Sequence, residues 1–285
     1  MIHYRADLPI GAPQVERFEH GGAALVDESL GRSADRHIVF LHGWGGSRES
    51  LRGIGALFQH AWRVHLIDLP GFGDAPLPPS DWGTSEYTDL VQHYLVERVD
   101  GHIVLVGHSF GARIALRLAA RTGRPRNDLV DAARVTTIES LVLMGAPGLP
   151  PRGFSRARIR RWSIRLLREL LRALRPVVGE APLAWQTRRF GSKDYLAAGA
   201  LRPILVRTVT EDLTACARSV SCPVLLLWGS DDTEAPQSLG YRYRDLMNGR
   251  ATLEILPHKD HYLFAGTGAH LCAFKIHKWL ESHGR

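Results

Sequence analysis

The run Ile103 to Val106 is wholly apolar and stops abruptly at Gly107-His108-Ser109-Phe110-Gly111. A continuous apolar run of this length reads as a strand buried on both faces. A G-x-S-x-G sequence at the exit of such a strand describes a turn so tight that the residues two before and two after the serine have no room for a side chain. Gly107 and Gly111 supply that room. The segment that follows, Ala112-Arg113-Ile114-Ala115-Leu116-Arg117-Leu118-Ala119-Ala120, is rich in strong helix formers with apolar residues at helical spacing. Strand, turn and helix are therefore predicted in immediate succession, with Ser109 at the apex as a candidate nucleophile.

A serine hydroxyl is a poor nucleophile near neutral pH, so this assignment requires a histidine base, an acid to orient it, and donors for a developing oxyanion. Two later segments supply the first two. Pro223 to Trp228 reads as another buried strand and runs into Gly229-Ser230-Asp231-Asp232-Thr233-Glu234-Ala235-Pro236, where Asp231 and Asp232 stand side by side. Ala251 to Leu256 is a short β-type run that leads through Pro257-His258-Lys259-Asp260 to His261, just ahead of Tyr262-Leu263-Phe264. The chain has fourteen histidines, and a lone histidine is ordinarily structural or solvated. Joint occurrence with Ser109 and the Asp231-Asp232 pair raises the histidines of this loop, His258 and His261, above that ordinary role as candidates for the base.

Five segments together resemble the α/β-hydrolase family, in its branch with a helical cap. They are His42-Gly43-Trp44-Gly45-Gly46 after Ile38 to Leu41, Asp68-Leu69-Pro70-Gly71-Phe72-Gly73 after Val64 to Ile67, the Ser109 turn, the Gly229 to Pro236 loop and the His261 loop. They span the chain except for its middle quarter. The resemblance implies an α/β fold: a mostly parallel eight-stranded sheet with helices on both faces and a helical cap insertion. It implies a core of residues 1–148 and 222–285 and a cap of residues 149–221. The family's Gly-x-x-Asp-x-x-x-Pro loop, counted from Gly229 to Pro236, places the acid at Asp232, and the position before the last helix places the base at His261. By the same resemblance the oxyanion donors are the backbone N–H groups of Phe110 and Trp44. His42, His108 and Asp68 would shape the site or its turns, and His258 has no assigned role. Relatives that open epoxides or displace halide carry aspartate at the nucleophile position, so Ser109 disfavours both activities.

A coarse reading places strands near Val15–Phe18, Ala23–Val26, Ile38–Leu41, Val64–Ile67, Ile103–Val106, Ile138–Met144, Pro223–Trp228 and Thr252–Leu256. Helices are predicted near Ser50–Phe58, Ser85–Val99, Ala112–Arg121, Leu239–Met247 and Gly268–Ser282. Gly21-Gly22 suggests an antiparallel hairpin at the sheet edge, and Thr122 to Thr137 reads as a surface loop. With 285 residues, 45% of them hydrophobic, the chain can bury a large core as one domain with an insertion. The start of the chain shows no leader-like pattern, and no window holds the ~18 apolar residues of a spanning helix. Cys216, Cys222 and Cys272 form no metal-spaced cluster and cannot all pair, which points to a reducing, cytoplasmic setting.

The second distinctive feature is a run of arginines: Arg152, Arg156, Arg158, Arg160, Arg161, Arg165, Arg168, Arg172 and Arg175, offset only by Glu169. Ile159, Trp162, Leu166, Leu167, Leu170 and Leu174 recur among them at helical spacing, predicting an amphipathic helix with a basic outer face. This stretch accounts for more than the whole formal charge of +7. It suits a solvated cap face, an acidic carrier protein as partner, or an anionic surface. The His42 and Asp68 loops are also similar to those of carboxylesterases that remove a methyl ester from pimeloyl groups on acyl carrier protein. Nucleic-acid binding is not expected, since no binding module accompanies the charge. The function implied is a serine hydrolase acting on a carboxylic ester or related small-molecule acyl substrate, with no metal or organic cofactor. Carbon-carbon bond hydrolysis and peracid formation use the same triad, and a non-catalytic acyl-ligand binding protein is the alternative from another class.

Overall fold

The computed structural model describes residues 12–31, 36–122, 137–151, 194 and 197–283. Eight strands, β1 (Gln14–His20), β2 (Ala23–Leu30), β3 (Arg36–Leu41), β4 (Arg63–Asp68), β5 (His102–His108), β6 (Thr137–Met144), β7 (Val224–Gly229) and β8 (Ala251–Leu256), form one sheet. Their order is β1-β2-β4-β3-β5-β6-β7-β8. β2 runs antiparallel to both β1 and β4, and every later pairing is parallel. The described helices are α1 (Arg48–Gly55), α2 (Thr84–Arg98), α3 (Phe110–Thr122), α4 (Arg202–Thr210), α5 (Thr214–Ser219), α6 (Ser238–Leu246) and α7 (Gly268–His283).

The apolar runs that predicted the central strands have two cores to fill. Side chains of successive strand residues point to opposite faces, so Val39, Leu41, Leu105, Leu143, Leu226 and Trp228 join the core under α2, α3, α5 and α6. Ile38, Phe40, Val104, Val106, Leu225 and Leu227 join the core under α1 and α7. Helices thus cover both faces, as the α/β reading requires. The edge hairpin is present: Gly21 (φ 59°) and Gly22 (φ 78°) form its two-residue turn, and His20 pairs with Ala23. Both turn residues need positive φ, which glycine adopts without penalty. β1 is exposed except for Phe18, as befits an edge strand.

Two helices lie inside residues 149–221, the stretch expected to be helical, where no individual helix boundaries were read over them. α4 contains Pro203, Ile204, Val206, Thr208, Val209 and Thr210, most of them β-branched, so propensity argues against a helix. Tertiary bonds hold it: Arg113 Nη1 donates to the Thr208 carbonyl at 2.9 Å, and the Glu211 carboxylate just beyond it accepts from Thr84 N–H at 2.9 Å. The six-residue α5 is too short to show a period and packs through buried Ala217 against the core. The arginine-rich stretch from Arg152 to Arg175 and, but for its two end residues, the surface loop expected from Thr122 to Thr137 lie outside the described residues.

The turn after β5 is set by backbone crowding. A Cβ on Gly111 would overlap the Leu41 carbonyl and come within 2.7 Å of the His42 carbonyl, to which Gly111 N–H donates at 2.9 Å. A Cβ on Gly107 would lie 2.6 Å from Ala112 Cα. Because the obstacles at Gly111 are backbone, a methyl there must prise β3 away from the turn. Gly111→Ala is expected to lower stability by about 3 kcal/mol, measured as a fall in the urea midpoint.

Candidate active site

Ser109 lies where β5 hands over to α3, with φ at 48°. That left-handed conformation is costly for any residue with a Cβ, about 1–3 kcal/mol, and it is held by Ser109 N–H donating to the Met144 carbonyl at 3.0 Å. Ser109→Gly is expected to raise stability by about 1 kcal/mol, read as a higher Tm, while removing the hydroxyl.

The residues expected as base and acid arrive on loops from the far half of the chain. His261 follows β8, and its Nε2 sits 2.9 Å from Ser109 Oγ. Its Nδ1 is 2.8 Å from Asp232 Oδ2, in the loop after β7. The other oxygen of Asp232 accepts from the N–H groups of Glu234 (2.9 Å) and Ala235 (2.7 Å). This leaves Oδ2 for the imidazole. A carboxylate only accepts, so Nδ1 carries the imidazole proton and Nε2 faces Ser109 with its lone pair. Asp232 and His261 are both buried. Burial alone would lower the His261 pKa, but the hydrogen bond and charge of Asp232, with Glu234 and Asp260, outweigh it and raise the pKa above the ordinary value.

Two glycines bring these loops together. A Cβ on Gly229 would come within 2.4 Å of the Asp260 carbonyl and closer still to that of Lys259, so the Asp232 loop and the His261 loop touch backbone to backbone. Asp231 N–H donates to the Lys259 carbonyl at 2.9 Å, and His258 N–H to Ser230 Oγ at 2.9 Å. At Gly145 (φ 53°) a Cβ would lie 3.1 Å from His261 Nδ1 and 3.2 Å from Asp232 Oδ2. The Asp232–His261 pair therefore rests on the end of β6. Asp231 is exposed and accepts from Ser230 Oγ at 2.7 Å.

The remaining expected residues surround Ser109. His42 Nε2 accepts from Leu69 N–H at 3.1 Å, so its Nδ1–H donates to the Gly43 carbonyl at 2.7 Å. Burial keeps His42 below its ordinary pKa, and the neutral ring pins the first loop to the second. Gly43 crosses directly over the turn, where a Cβ would meet His108 Nδ1 at 2.6 Å and Ser109 Cβ at 3.3 Å. The Trp44 ring stands edge-on to Phe110 and Phe72, with centroids 5.4 and 5.0 Å away. Phe110 opens α3, so its N–H belongs to the first helical turn, whose amides have no acceptor within the helix. His108 Nε2 donates to the His261 carbonyl at 3.0 Å; burial, then the His261 charge, push its pKa down to about 3, so it is a fixed neutral donor. Asp68 accepts from the Arg48 guanidinium, from Arg48 N–H (2.6 Å) and from Asp74 N–H (2.9 Å), tying its turn to α1.

One neighbour was missed. Glu234, half-exposed at the rim, places Oε2 3.7 Å from His261 Nε2. Its only sequence signal is its place two residues after Asp232 in the acid loop.

The family described as "Alpha/beta hydrolase family" matches residues 38–269, from β3 into α7 and across all five loops above. The chain belongs to this family. This hydrolase is 23% identical over 258 residues to a pimeloyl-[acyl-carrier protein] methyl ester esterase of Shewanella woodyi, covering 85% of this chain and 95% of that protein. It is 34% identical over 110 residues to the enzyme of that name from Aeromonas hydrophila, covering 37% and 40%. In structure the hydrolase is similar to a putative lipase from Acinetobacter baumannii, with a TM-score of 0.69 at 18% identity over 95% of this chain and 91% of that one.

Proposed function

We propose that the protein is a serine hydrolase that cleaves a carboxylic ester, or a related acyl substrate, through an acyl-enzyme. The observation that carries this reading is the unbroken chain from Ser109 Oγ to His261 Nε2 (2.9 Å) and from His261 Nδ1 to Asp232 Oδ2 (2.8 Å). Ser109 attacks the carbonyl carbon while His261 takes its proton, and Asp232 steadies the imidazolium. The negative charge on the carbonyl oxygen is received by the N–H groups of Phe110 and Trp44, fixed before the substrate arrives; losing one such donor costs about 10²- to 10³-fold in rate. His261 then protonates the leaving group, and water, deprotonated by His261, releases the acid. No metal or organic cofactor takes part.

Because only neutral His261 can act as base and its pKa is raised above 6.5, kcat/KM is expected to climb with pH through a limb centred above that value. A pH–rate profile checks this. Residues 149–221 are assigned the role of cap, and the three free cysteines support a reducing, cytoplasmic setting. No described helix is long and apolar enough to cross a membrane. The relatives' printed substrate supports an ester on an acidic carrier protein, which the arginine-rich stretch at 152–175 would attract. That docking predicts KM for a carrier-bound ester rising several-fold between 50 and about 300 mM salt, since exposed charges are screened within about 10 Å at 0.1 M.

The test is hydrolysis of p-nitrophenyl esters from acetyl to palmitoyl by wild type and Ser109→Ala. Turnover abolished by the substitution is the expected result. Covalent labelling of Ser109 without ester turnover would redirect the reading to carbon-carbon or other acyl chemistry, and neither would favour an acyl-ligand binding protein.

A further inference from the structure

Away from Ser109, the edge hairpin and α2 bring together three side chains that the proposed reaction does not use. His20 ends β1, immediately before the Gly21-Gly22 turn. His93 and Glu97 lie one turn apart on α2. Positions four apart share a helix face. One ligand atom from each of His20, His93 and Glu97 falls within 4.8 Å of the others, and His20 Nδ1 is 4.0 Å from Glu97 Oε1. The two imidazoles are stacked, with centroids 3.6 Å apart and planes at 18°.

We propose that His20, His93 and Glu97 form a binding site for a divalent transition-metal ion of the zinc type, which clamps the β1–β2 hairpin to α2. Two imidazoles and one carboxylate are a donor set that suits zinc and not calcium or magnesium, which take oxygen ligands. Zinc bonds of about 2.0–2.2 Å put tetrahedral ligand atoms roughly 3.4 Å apart. The 4.0 Å between His20 Nδ1 and Glu97 Oε1 is wider by an amount that rotation of these surface side chains can close. Such rotation unstacks the rings, and water completes the fourth position.

The clamp has a mechanical use. β1 is the sheet edge and buries only Phe18. Besides the His20 contacts, it meets α2 through the Phe18–Tyr94 ring contact at 5.6 Å and through Arg98, which lies over Phe18 and 3.8 Å from Glu16. A metal bound by groups from both elements, and absent from the unfolded chain, stabilises their docking.

Zinc chloride titrated into the full chain, followed by calorimetry, is expected to show one saturable site with a micromolar Kd and a rise in Tm. His20→Ala and His93→Ala are each expected to weaken Kd at least about tenfold and to abolish the Tm rise, while His277→Ala on α7 changes neither. Cobalt(II) substituted into wild type is expected to give the intense visible bands of a four-coordinate ion, a readout that needs no variant. Absence of saturable zinc binding by wild type overturns the proposal. So does unchanged affinity in His20→Ala and His93→Ala, or a weak six-coordinate cobalt spectrum.

Discussion

Replacing Ser109 with alanine is expected to lower kcat for ester hydrolysis by about 10⁶-fold, the cost seen when a triad nucleophile is removed. The fold should survive the change. The methyl group occupies the place of the Cβ already present at φ 48°, so the backbone strain is the same in both proteins. His261 keeps its bond to Asp232 at 2.8 Å and its place against Gly145. Triad members act as a unit, so adding His261→Ala to Ser109→Ala is expected to cost little more. Initial rates for wild type, both single variants and the double variant check both statements. A residual rate above about one hundredth of wild type in Ser109→Ala would assign the chemistry to another group.

The second large effect is at the acid. In Asp232→Asn, one side-chain oxygen is still required by the N–H groups of Glu234 and Ala235, at 2.9 and 2.7 Å. The amide therefore turns its NH2 toward His261 Nδ1. A donor there forces the imidazole proton onto Nε2, where it faces Ser109 and cannot accept. The rate is expected to fall about 10⁴-fold with the structure intact, the cost of the wrong tautomer. The pH profile should shift as well. With the Asp232 charge gone, burial, the largest single influence on His261, is less opposed. The rising limb then moves to lower pH. Asp231→Asn makes the contrast, since that exposed carboxylate meets only Ser230 Oγ among the described residues; its rate should stay within about threefold. Rates and pH profiles of the two variants side by side distinguish the adjacent acids.

The elements legible in the sequence were those whose signal is local. Each apolar run from Ile38 to Leu41 through Pro223 to Trp228 became a strand, because a sheet covered on both faces imposes apolar residues at every position. Gly107, Ser109 and Gly111 were legible as a turn because the crowding that excludes side chains is written as glycine. Asp232 and His261 could be placed only by position in a family pattern, since what brings them to Ser109 is the touching of backbones at Gly229 and Lys259, which no local pattern encodes. For the same reason the bounds of α4, inside the stretch expected to be helical, were not read. Its β-branched residues argue against a helix until Arg113 and Glu211 bind its far end. Glu234 was missed because its proximity to His261 Nε2 depends on how two loops cross. The buried His37–His65–Asp27 group was unread too: His65 bonds Asp27 and His37 at 3.0 Å each, and no motif in the sequence marks it.

The most direct test of the central claim is to react the protein with a fluorophosphonate, digest it and locate the added mass by tandem mass spectrometry. One adduct per chain on Ser109, absent from Ser109→Ala and formed much more slowly in Asp232→Asn, is the predicted result. Ester turnover with no adduct on Ser109, or an adduct formed equally fast on another residue, would contradict it.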